Sequence, residues 1–461
     1  MAPRNTAPHI SDITPEIKNL ADICREHDQI DPMLYFRYNV KRGLRDVNGK
    51  GVLTGLTEIA EVKSYTIDDD EMIPCDGRLY YRGYDVKDLV KAFTKEHRYG
   101  FEETTYLLLF GKLPTEKELK EFNQLLSHYR ILPTNFVRDV VLKAPTKEMM
   151  NTLSRSILTL YAYDHNADDV SLDNVLRQCL SLIAVTPLLA VYSYHAYEHY
   201  KAGGSLVIHQ PEPGMGTAET ILHLLRDDSK FTKLEAQVLD LCLVLHADHG
   251  GGNNSTFTNR VVTSTLTDTY SAMSASLASL KGPRHGGANI KVVGMMDDIK
   301  KHVKDLKDDE EISKYLKKIL RGKAYDKQGL LYGVGHAVYT ISDPRAVLLK
   351  SFVERLAIEK GAEEELAFYE RVARLAPDAV RDSKNLIRPE IAINVDFYSG
   401  FVYRLLGLPE ELFTPLFATA RMSGWSAHRL EELATGGKII RPAYKNVIKH
   451  AQYVPIKKRD K

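Results

Sequence analysis

The sequence predicts a mainly α-helical fold, and three observations support this prediction. Apolar residues recur at helical spacing through most of the chain, whereas the alternation typical of strands is scarce. A clear helix start also precedes the first apolar stripe. With 461 residues, the chain is long enough for a large core and more than one domain.

The first predicted helix begins at the tripeptide Thr14-Pro15-Glu16. A hydroxyl cap, a proline in the first turn and an acid near the positive end of the helix dipole all favour a start here. The following apolar residues share one face, namely Ile17, Leu20, Ala21 and Cys24. Two short alternating runs, 63–66 and 78–82, are the candidate strands.

Helical stripes then follow along the rest of the chain, and each predicts a helix. They cover residues 115–129, 147–163, 172–196, 217–225, 233–247, 261–280, 297–320, 344–359, 363–375 and 413–433. The charged stretch 300–323 keeps an apolar side, which is typical of solvated amphipathic surface helices.

The most apolar stretch, 179–196, is close to the minimum length of a membrane-spanning helix. Pro187, His195 and several hydroxyl groups interrupt it. We therefore predict a buried core helix, and no membrane partner.

The overall charge is balanced, with 62 Lys and Arg against 61 Asp and Glu. This balance gives no strong field for nucleic acid. The four cysteines, Cys24, Cys75, Cys179 and Cys242, lie far apart and without a CxxC pair, which indicates reduced thiols. The acid-containing N-terminus shows no secretory or transit signal, so a cytoplasmic location is expected.

Short glycine-rich segments in the second half of the chain carry the chemistry. They are LHADHGGGNNS (245–255), GPRHGGAN (282–289), GVGHAVYTISDPR (333–345) and NVDFYSG (394–400). Glycine lets backbone approach a ligand closely, and each segment holds a histidine or a carboxylate. Together with nearby arginines, which bind carboxylates through two hydrogen bonds, these groups suit carbon–carbon bond formation through an enol.

Asp396 follows the apolar residues Ile391, Ile393 and Val395. A carboxylate on a hydrophobic wall has a raised pKa and can act as a base. The alternative from the residues alone is a turn or helix-capping aspartate.

His285 stands before two glycines in a predicted tight turn that opens a helix. A helix N-terminus disfavours a cation, and a neutral imidazole can donate a hydrogen bond to an enolate oxygen. The alternative is a structural turn histidine.

His246, Asp248 and His249 have a spacing that a metal site could use if His246 and His249 shared a helix face. No cysteine cluster or HExxH motif accompanies them, so we predict no metal. A dinucleotide loop at Gly333–His336 is also disfavoured, because no GxGxxG follows a strand.

The order and spacing of these motifs resemble the citrate synthase family. The likeness extends to DGRLYYRGYDVKDL (76–89), FEETTYLLLFGKLP (101–114) and LFTPLFATARMSGWSAHRLEE (412–432), and so runs from about residue 76 to the C-terminus. The resemblance implies an all-α, two-domain fold around a cleft. The large domain would comprise 76–286 and 397–461, the small domain 287–396, and residues 1–75 an N-terminal arm.

The resemblance also implies the roles of individual residues. Asp396 would be the base, His285 would stabilise the enol, and His336 would polarise the ketone and protonate the new alkoxide. The oxo-acid would be held by His249, Arg345, Arg421 and Arg441, the last in the site of a partner subunit. The adenine of coenzyme A would lie against Leu331, Tyr332, Gly333, Val334 and Gly335.

The implied reaction is that of a Si-type citrate synthase, which condenses acetyl-CoA with oxaloacetate and water to citrate and coenzyme A. It implies a homodimer or larger oligomer and no metal or redox cofactor. Two alternatives stay open: a 2-methylcitrate synthase that uses propionyl-CoA, and a non-catalytic regulator that binds a carboxylate or an acyl-CoA.

The chain also departs from the family pattern where coenzyme A phosphates bind. Leu330 occupies the position of a common lysine, and Ala337 and Thr340 occupy positions where other members have an arginine. Gly250 replaces an acid that commonly follows the first-motif histidine. The catalytic set is intact.

Overall fold

The computed structural model describes residues 11–46, 50–68, 71–336, 338–384 and 391–459. The described chain is mainly helical with one three-stranded sheet, which confirms the predicted fold class. It forms two compact units, Met1–Leu56 and Thr57–Lys461. The division of residues 76–461 into a large and a small domain stays a prediction.

The first unit holds α1 (Pro15–His27) and the short α2 (Met33–Arg37). The predicted start of α1 is confirmed, because the Thr14 hydroxyl caps the helix by accepting a hydrogen bond from the backbone N–H of Ile17 at 3.4 Å. Two members of the predicted stripe, Ile17 and Leu20, are more than half exposed, at 51% and 58%. Propensity and capping therefore define this helix more than burial does.

The second unit opens with β1 (Ala60–Asp68), β2 (Glu71–Tyr81) and β3 (Tyr84–Asp85). The three strands form an antiparallel sheet in the order β1-β2-β3, with Ala60 opposite Tyr81. Both predicted strands are confirmed, and each is longer than its alternating core.

The helices of the second unit follow the sheet. They are α3 (Val86–Lys95), α4 (Phe101–Phe110), α5 (Glu116–Tyr129), α6 (Met149–Leu160), α7 (Leu172–Tyr197), α8 (Thr217–Leu225), α9 (Lys233–His246), α10 (Asn254–Thr263), α11 (Thr269–Lys281), α12 (Ala288–His302), α13 (Asp309–Leu320), α14 (Pro344–Lys360), α15 (Glu363–Lys384), α16 (Val395–Leu405) and α17 (Phe413–Ala434).

The long apolar helix α7 packs against α5, α6, α8 and α17. With the turn that follows it, α7 forms the one helix in the described ranges that is long and apolar enough to span a membrane, and 83% of its most apolar window is buried. The predicted core helix is therefore confirmed. Pro187 lies inside it without ending it.

Two predicted helices are each divided in the structure. Residues 261–280 belong to α10 and α11, separated by a turn in which Leu266 has a φ of 62°. Residues 297–320 belong to α12 and α13. In both cases apolar spacing continues across the turn because the residues on either side face one core.

Candidate active site

Arg345 lies at the start of α14, and its side chain is bound by Asp343, two residues earlier in the chain. Asp343 caps the helix by accepting a hydrogen bond from Arg345 N at 3.0 Å, and Pro344 occupies the first turn. The same carboxylate accepts Arg345 Nε at 3.0 Å and Nη2 at 2.8 Å. Both side chains are almost fully buried. Burial lowers the pKa of Arg345, but Asp343 outweighs burial and raises it, so the guanidinium is charged.

Arg421 lies in the middle of α17 and is fully buried. Its Nε donates to the His246 carbonyl at 2.7 Å, and its guanidinium carbon stands 4.8 Å from the centre of the Phe417 ring. Neither Nη atom has a partner among the described residues. Burial lowers the pKa of Arg421 to about 10, so it remains a cation with two donors for an anionic ligand.

Asp396 lies in the first turn of α16. Asn394, not Asp396, caps this helix, because its side chain accepts the backbone N–H of Asp396 at 3.0 Å. The capping alternative for Asp396 is therefore wrong. Among the described residues nothing donates a hydrogen bond to the Asp396 carboxylate. Burial raises its pKa to about 6, against the opposing effect of Arg345.

The glycine loop that carries His336 is joined to the segment that carries Asp396. Gly335 N donates to Ala392 O at 2.7 Å, Asn394 N to Gly333 O at 3.0 Å, and Asn394 Nδ2 to Gly335 O at 2.9 Å. Gly333 has a φ of 77°, and a Cβ there would lie 2.9 Å from Phe397 Cβ. This loop therefore requires glycine at position 333.

The protonation of His336 follows from its backbone contacts. Nδ1 accepts the backbone N–H groups of Val338 and Tyr339, each at 3.0 Å. Since Nδ1 accepts, the ring proton of the neutral imidazole is on Nε2. His336 is therefore a hydrogen-bond donor at Nε2.

His285 lies in the turn between α11 and α12, as predicted. Its Nε2 lies 3.1 Å from both Asn253 Oδ1 and Ser255 Oγ, and Trp425 Nε1 donates to Ser255 Oγ at 3.2 Å. The pKa of His285 is lowered to about 4, first by burial and then by Arg421. Burial and the Arg421 cation therefore both favour the neutral imidazole.

His249 lies just past the end of α9 and faces His336 and Tyr339, with ring centres at 5.3 and 5.7 Å. Its Nε2 is buried without a partner among the described residues. Burial and the cation Arg345 lower its pKa well below the usual range, so the ring is neutral.

These side chains form one pocket. His249 is close enough to Arg345, His336, Arg421 and His285 for each to influence its charge. Asp396 likewise experiences Arg345 and Arg421. The structure therefore brings together every predicted catalytic and oxo-acid residue except Arg441. That residue lies exposed in the segment after α17.

The proposed metal arrangement does not form. Helix α9 ends at His246, so His246 and His249 do not share a helix face. His246 packs on Phe417 with ring centres at 4.4 Å, whereas His249 faces His336. No group of His, Cys, Asp and Glu side chains in the described part of the chain is arranged to hold a metal ion.

The loop Leu331–Gly335 lies beside two tyrosines and a lysine. Tyr332 Oη donates to Asp326 Oδ2 at 2.6 Å, and Lys291 Nζ stands 5.9 and 5.8 Å from the ring centres of Tyr325 and Tyr332. Lys291 Nζ also donates to Asp326 Oδ2 at 3.2 Å, so its charge is paired with a carboxylate of the protein.

Residues that the sequence did not single out complete the pocket. Asp343 orients Arg345. Tyr339 packs between His336 and Arg345. Asn253 and Ser255 both contact His285. Asp343 directly precedes Pro344, and Asx-Pro is a helix-start signal that could have identified it. The contacts of Asn253 and Ser255 with His285 join residues that are 32 and 30 positions apart.

The chain is similar in sequence to known citrate synthases. The family model described as citrate synthase, C-terminal domain, matches residues 47–443. A citrate synthase of Synechocystis is 35% identical over 389 residues, covering 83% of this chain and 89% of the relative. A 2-methylcitrate synthase of Corynebacterium glutamicum is 31% identical over 426 residues, covering 91% and 98%.

A solved structure shares the fold. It is the ternary complex of citrate synthase from Thermoplasma acidophilum with carboxymethyl coenzyme A and oxaloacetate. It superposes with a TM-score of 0.73 at 27% identity, covering 91% of this chain and 99% of that one.

The close approach of α17 to the end of α9 generates a testable prediction. A Cβ on Gly424 would lie 2.4 Å from both Ala247 O and Asp248 Oδ1. Alanine normally favours a helix interior over glycine by about 1 kcal/mol. Gly424→Ala should instead lower the free energy of unfolding by about 1–3 kcal/mol, as overpacking does. Urea unfolding measures this, with Gly55→Ala as the control because a Cβ there meets nothing within 4 Å. Equal stability of the Gly424 variant and the wild type would contradict the close contact.

Proposed function

The chain belongs to the citrate synthase family and is an acyltransferase of that type, and on this premise we propose how its pocket condenses acetyl-CoA with oxaloacetate. One observation carries the proposal. Two buried arginines flank a carboxyl group with a raised pKa and three neutral histidines. This set can hold a dianion, remove a proton from carbon and stabilise an enol without an added metal.

Oxaloacetate binds first in this proposal, through Arg345, Arg421 and His249. The two free Nη donors of Arg421 match a carboxylate, and Asp343 fixes the guanidinium plane of Arg345. The unpartnered Nε2 of His249 supplies a further contact. Arg441 of a second subunit completes the set.

The chemical steps use the remaining three groups. The Asp396 carboxylate takes a proton from the methyl group of acetyl-CoA, and the neutral imidazole of His285 stabilises the enol. The enol carbon then attacks the keto carbon of oxaloacetate, and His336 Nε2–H protonates the alkoxide. Water hydrolyses the resulting citryl-CoA to citrate and coenzyme A.

The thioester substrate is placed by the loop Leu331–Gly335, which would surround the adenine. No metal or redox cofactor enters the proposed reaction, since the chain's own groups supply every proton transfer.

A 2-methylcitrate synthase is the second candidate, favoured by the similarity to the Corynebacterium glutamicum relative of that name. The two reactions differ by one methylene of the acyl group, which a pocket distinguishes by about 1–3 kcal/mol. A non-catalytic regulator is disfavoured, because a binding protein has no use for the raised pKa of Asp396.

Release of free thiol in the presence of oxaloacetate tests the function and separates the candidates. Acetyl-CoA, propionyl-CoA and butyryl-CoA are compared by kcat/KM. We expect acetyl-CoA to give the highest value, by about tenfold or more over propionyl-CoA. A higher value with propionyl-CoA would establish the second candidate, and no thiol release with any acyl-CoA would support the regulator.

Removal of the base should abolish condensation. Asp396→Asn should lower kcat by about 10²- to 10⁴-fold, because an amide cannot accept the methyl proton, while oxaloacetate affinity changes little. In the wild type, kcat/KM should fall as the pH drops through about 6, since Asp396 must be ionised to accept a proton. Steady-state kinetics and calorimetric binding of oxaloacetate measure both effects.

The matched control is Asp240→Asn, which also removes a fully buried carboxyl group with a raised pKa. Asp240 accepts hydrogen bonds from Gly100 and Phe101 at the start of α4, outside the pocket. It should lose stability and keep kcat. Retention of kcat within a few-fold in Asp396→Asn would exclude Asp396 as the base.

We also propose a homodimer or larger oligomer in which Arg441 crosses to the partner's site. The segment after α17 supports this, since it carries large apolar side chains exposed at 94% for Tyr444, 79% for Ile448 and 80% for Tyr453. Such side chains are usually covered by a partner.

Mixing two inactive variants tests the crossing of Arg441. Arg441→Ala and Asp396→Ala are combined under conditions of subunit exchange. In a mixed dimer one site carries both defects and the other has a full set, so activity should partly return. If exchange is verified and activity stays absent, Arg441 does not act across the interface.

A further inference from the structure

A row of polar groups links the end of α17 to Asp248. It begins at Glu431 and Glu432 near the end of α17 and runs through Arg260 and His428 to Asp248. Arg260 pairs with Glu431, and its Nη1 donates to Glu432 at 2.9 Å. Arg260 Nη2 also donates to Thr57 Oγ1 at 3.1 Å. These contacts fix the guanidinium of Arg260.

The position of Arg260 determines which ring nitrogen of His428 carries the proton. His428 is fully buried. His428 Nδ1 lies 2.7 Å from Arg260 Nη2 and 3.2 Å from Nε. A guanidinium group has donors and no acceptor, so Nδ1 must accept. The ring proton is therefore on Nε2.

His428 Nε2 faces Asp248, and its distance to Asp248 Oδ2 is 3.3 Å. The same oxygen accepts the backbone N–H of Gly250 at 2.8 Å. The other oxygen, Oδ1, packs against Gly424 and has no partner among the described residues. His428 is thus the one side-chain donor to this carboxylate in the described part of the chain.

Asp248 is the counter-charge of Arg421. Both side chains are fully buried, and the attraction of Asp248 opposes the effect of burial on Arg421. Among the described residues, Arg421 has one hydrogen bond, from Nε to His246 O, so its plane is otherwise set by electrostatics and by the Phe417 ring. Displacement of the Asp248 carboxylate would therefore alter the two Nη donors that face the ligand.

We propose that His428 is a positioning residue for the dicarboxylate site. Arg260 sets the orientation of the His428 ring, and His428 in turn holds the Asp248 carboxylate in place. Asp248 keeps Arg421 charged and oriented toward the substrate carboxylate. This inference rests on the proposed function, because it assigns the anion at Arg421 as the dicarboxylate substrate. It concerns neither Asp396 nor His285 nor His336.

Two amide variants separate the donor to Asp248 from the acceptor for Arg260. The side-chain N of His428→Gln can occupy the place of Nε2 and keep the donor. His428→Asn keeps an acceptor near the place of Nδ1, but it is too short to reach Asp248. We expect His428→Asn to raise KM for oxaloacetate about tenfold or more, as loss of a hydrogen bond to a charged group does. His428→Gln should stay within about threefold of the wild type.

A change in KM for oxaloacetate without a change in kcat or in KM for acetyl-CoA distinguishes a positioning role from a general loss of structure. At saturating oxaloacetate, kcat and KM for acetyl-CoA should change by less than about threefold in both variants, since the groups that touch the thioester are intact. His195→Asn is the control for loss of a buried histidine. His195 lies on α7, and the one hydrogen-bond partner of its side chain among the described residues is Leu224 O, at 2.9 Å from Nε2. It should lower thermal stability and leave KM for oxaloacetate unchanged.

The inference is overturned if His428→Asn and His428→Gln have the same KM for oxaloacetate, or if kcat and both KM values deteriorate together. Calorimetric titration of the full-length variants with oxaloacetate tests the same point without turnover. Absence of thiol release by the wild type would refute the proposed function alone. Equal oxaloacetate affinity of the Asn variant and the wild type would then refute the positioning role.

Discussion

The buried ion pair of Asp343 and Arg345 is the interaction on which the pocket depends. One carboxylate caps α14, holds the guanidinium of Arg345 through two hydrogen bonds and accepts Val395 N at 3.2 Å. Val395 is the first residue of α16, and Asp396 follows it. The same interaction therefore places an anion-binding arginine and a basic carboxylate relative to each other. Breaking one partner of such a pair leaves a buried charge without compensation, which is costly.

Charge compensation explains why the pocket can hold both cations and neutral histidines. Asp343 and Asp248 balance Arg345 and Arg421 from behind, so the arginines stay charged despite burial. The same burial and the same cations keep His249 and His285 neutral. Burial also raises the pKa of Asp396 toward neutrality. A base and several hydrogen-bond donors therefore coexist at one pH, because their environments shift their pKa values in different directions.

Helical periodicity predicted most of the fold, and its failures have physical causes. Apolar spacing located α5, α7, α9 and α14, but it joined α10 to α11 and α12 to α13, because both helices of each pair bury residues against one core. It did not single out α3, α4 or α16 as helices. Helix α4 is buried nearly all round, and α16 lies within a segment where glycine and aromatic residues obscure the stripe. A periodic pattern requires an exposed face, and α4 and α16 have little of one. Helix α3 does have an exposed face opposite its buried residues Val86, Leu89 and Phe93, so its stripe was present in the sequence.

The sequence by itself determined the helical fold class, the family and the identity of the groups in the pocket, because glycine motifs and helix caps are local features of the chain. Only the tertiary structure decided which groups meet and how each is charged. The contact of His428 with Asp248 joins residues 180 positions apart, and that of Asn253 with His285 joins residues 32 apart. The pKa values of Asp396 and His285 depend on exclusion of water and on arginines from α14 and α17. Electrostatic energy depends on distance and burial in space, which spacing along the chain does not specify.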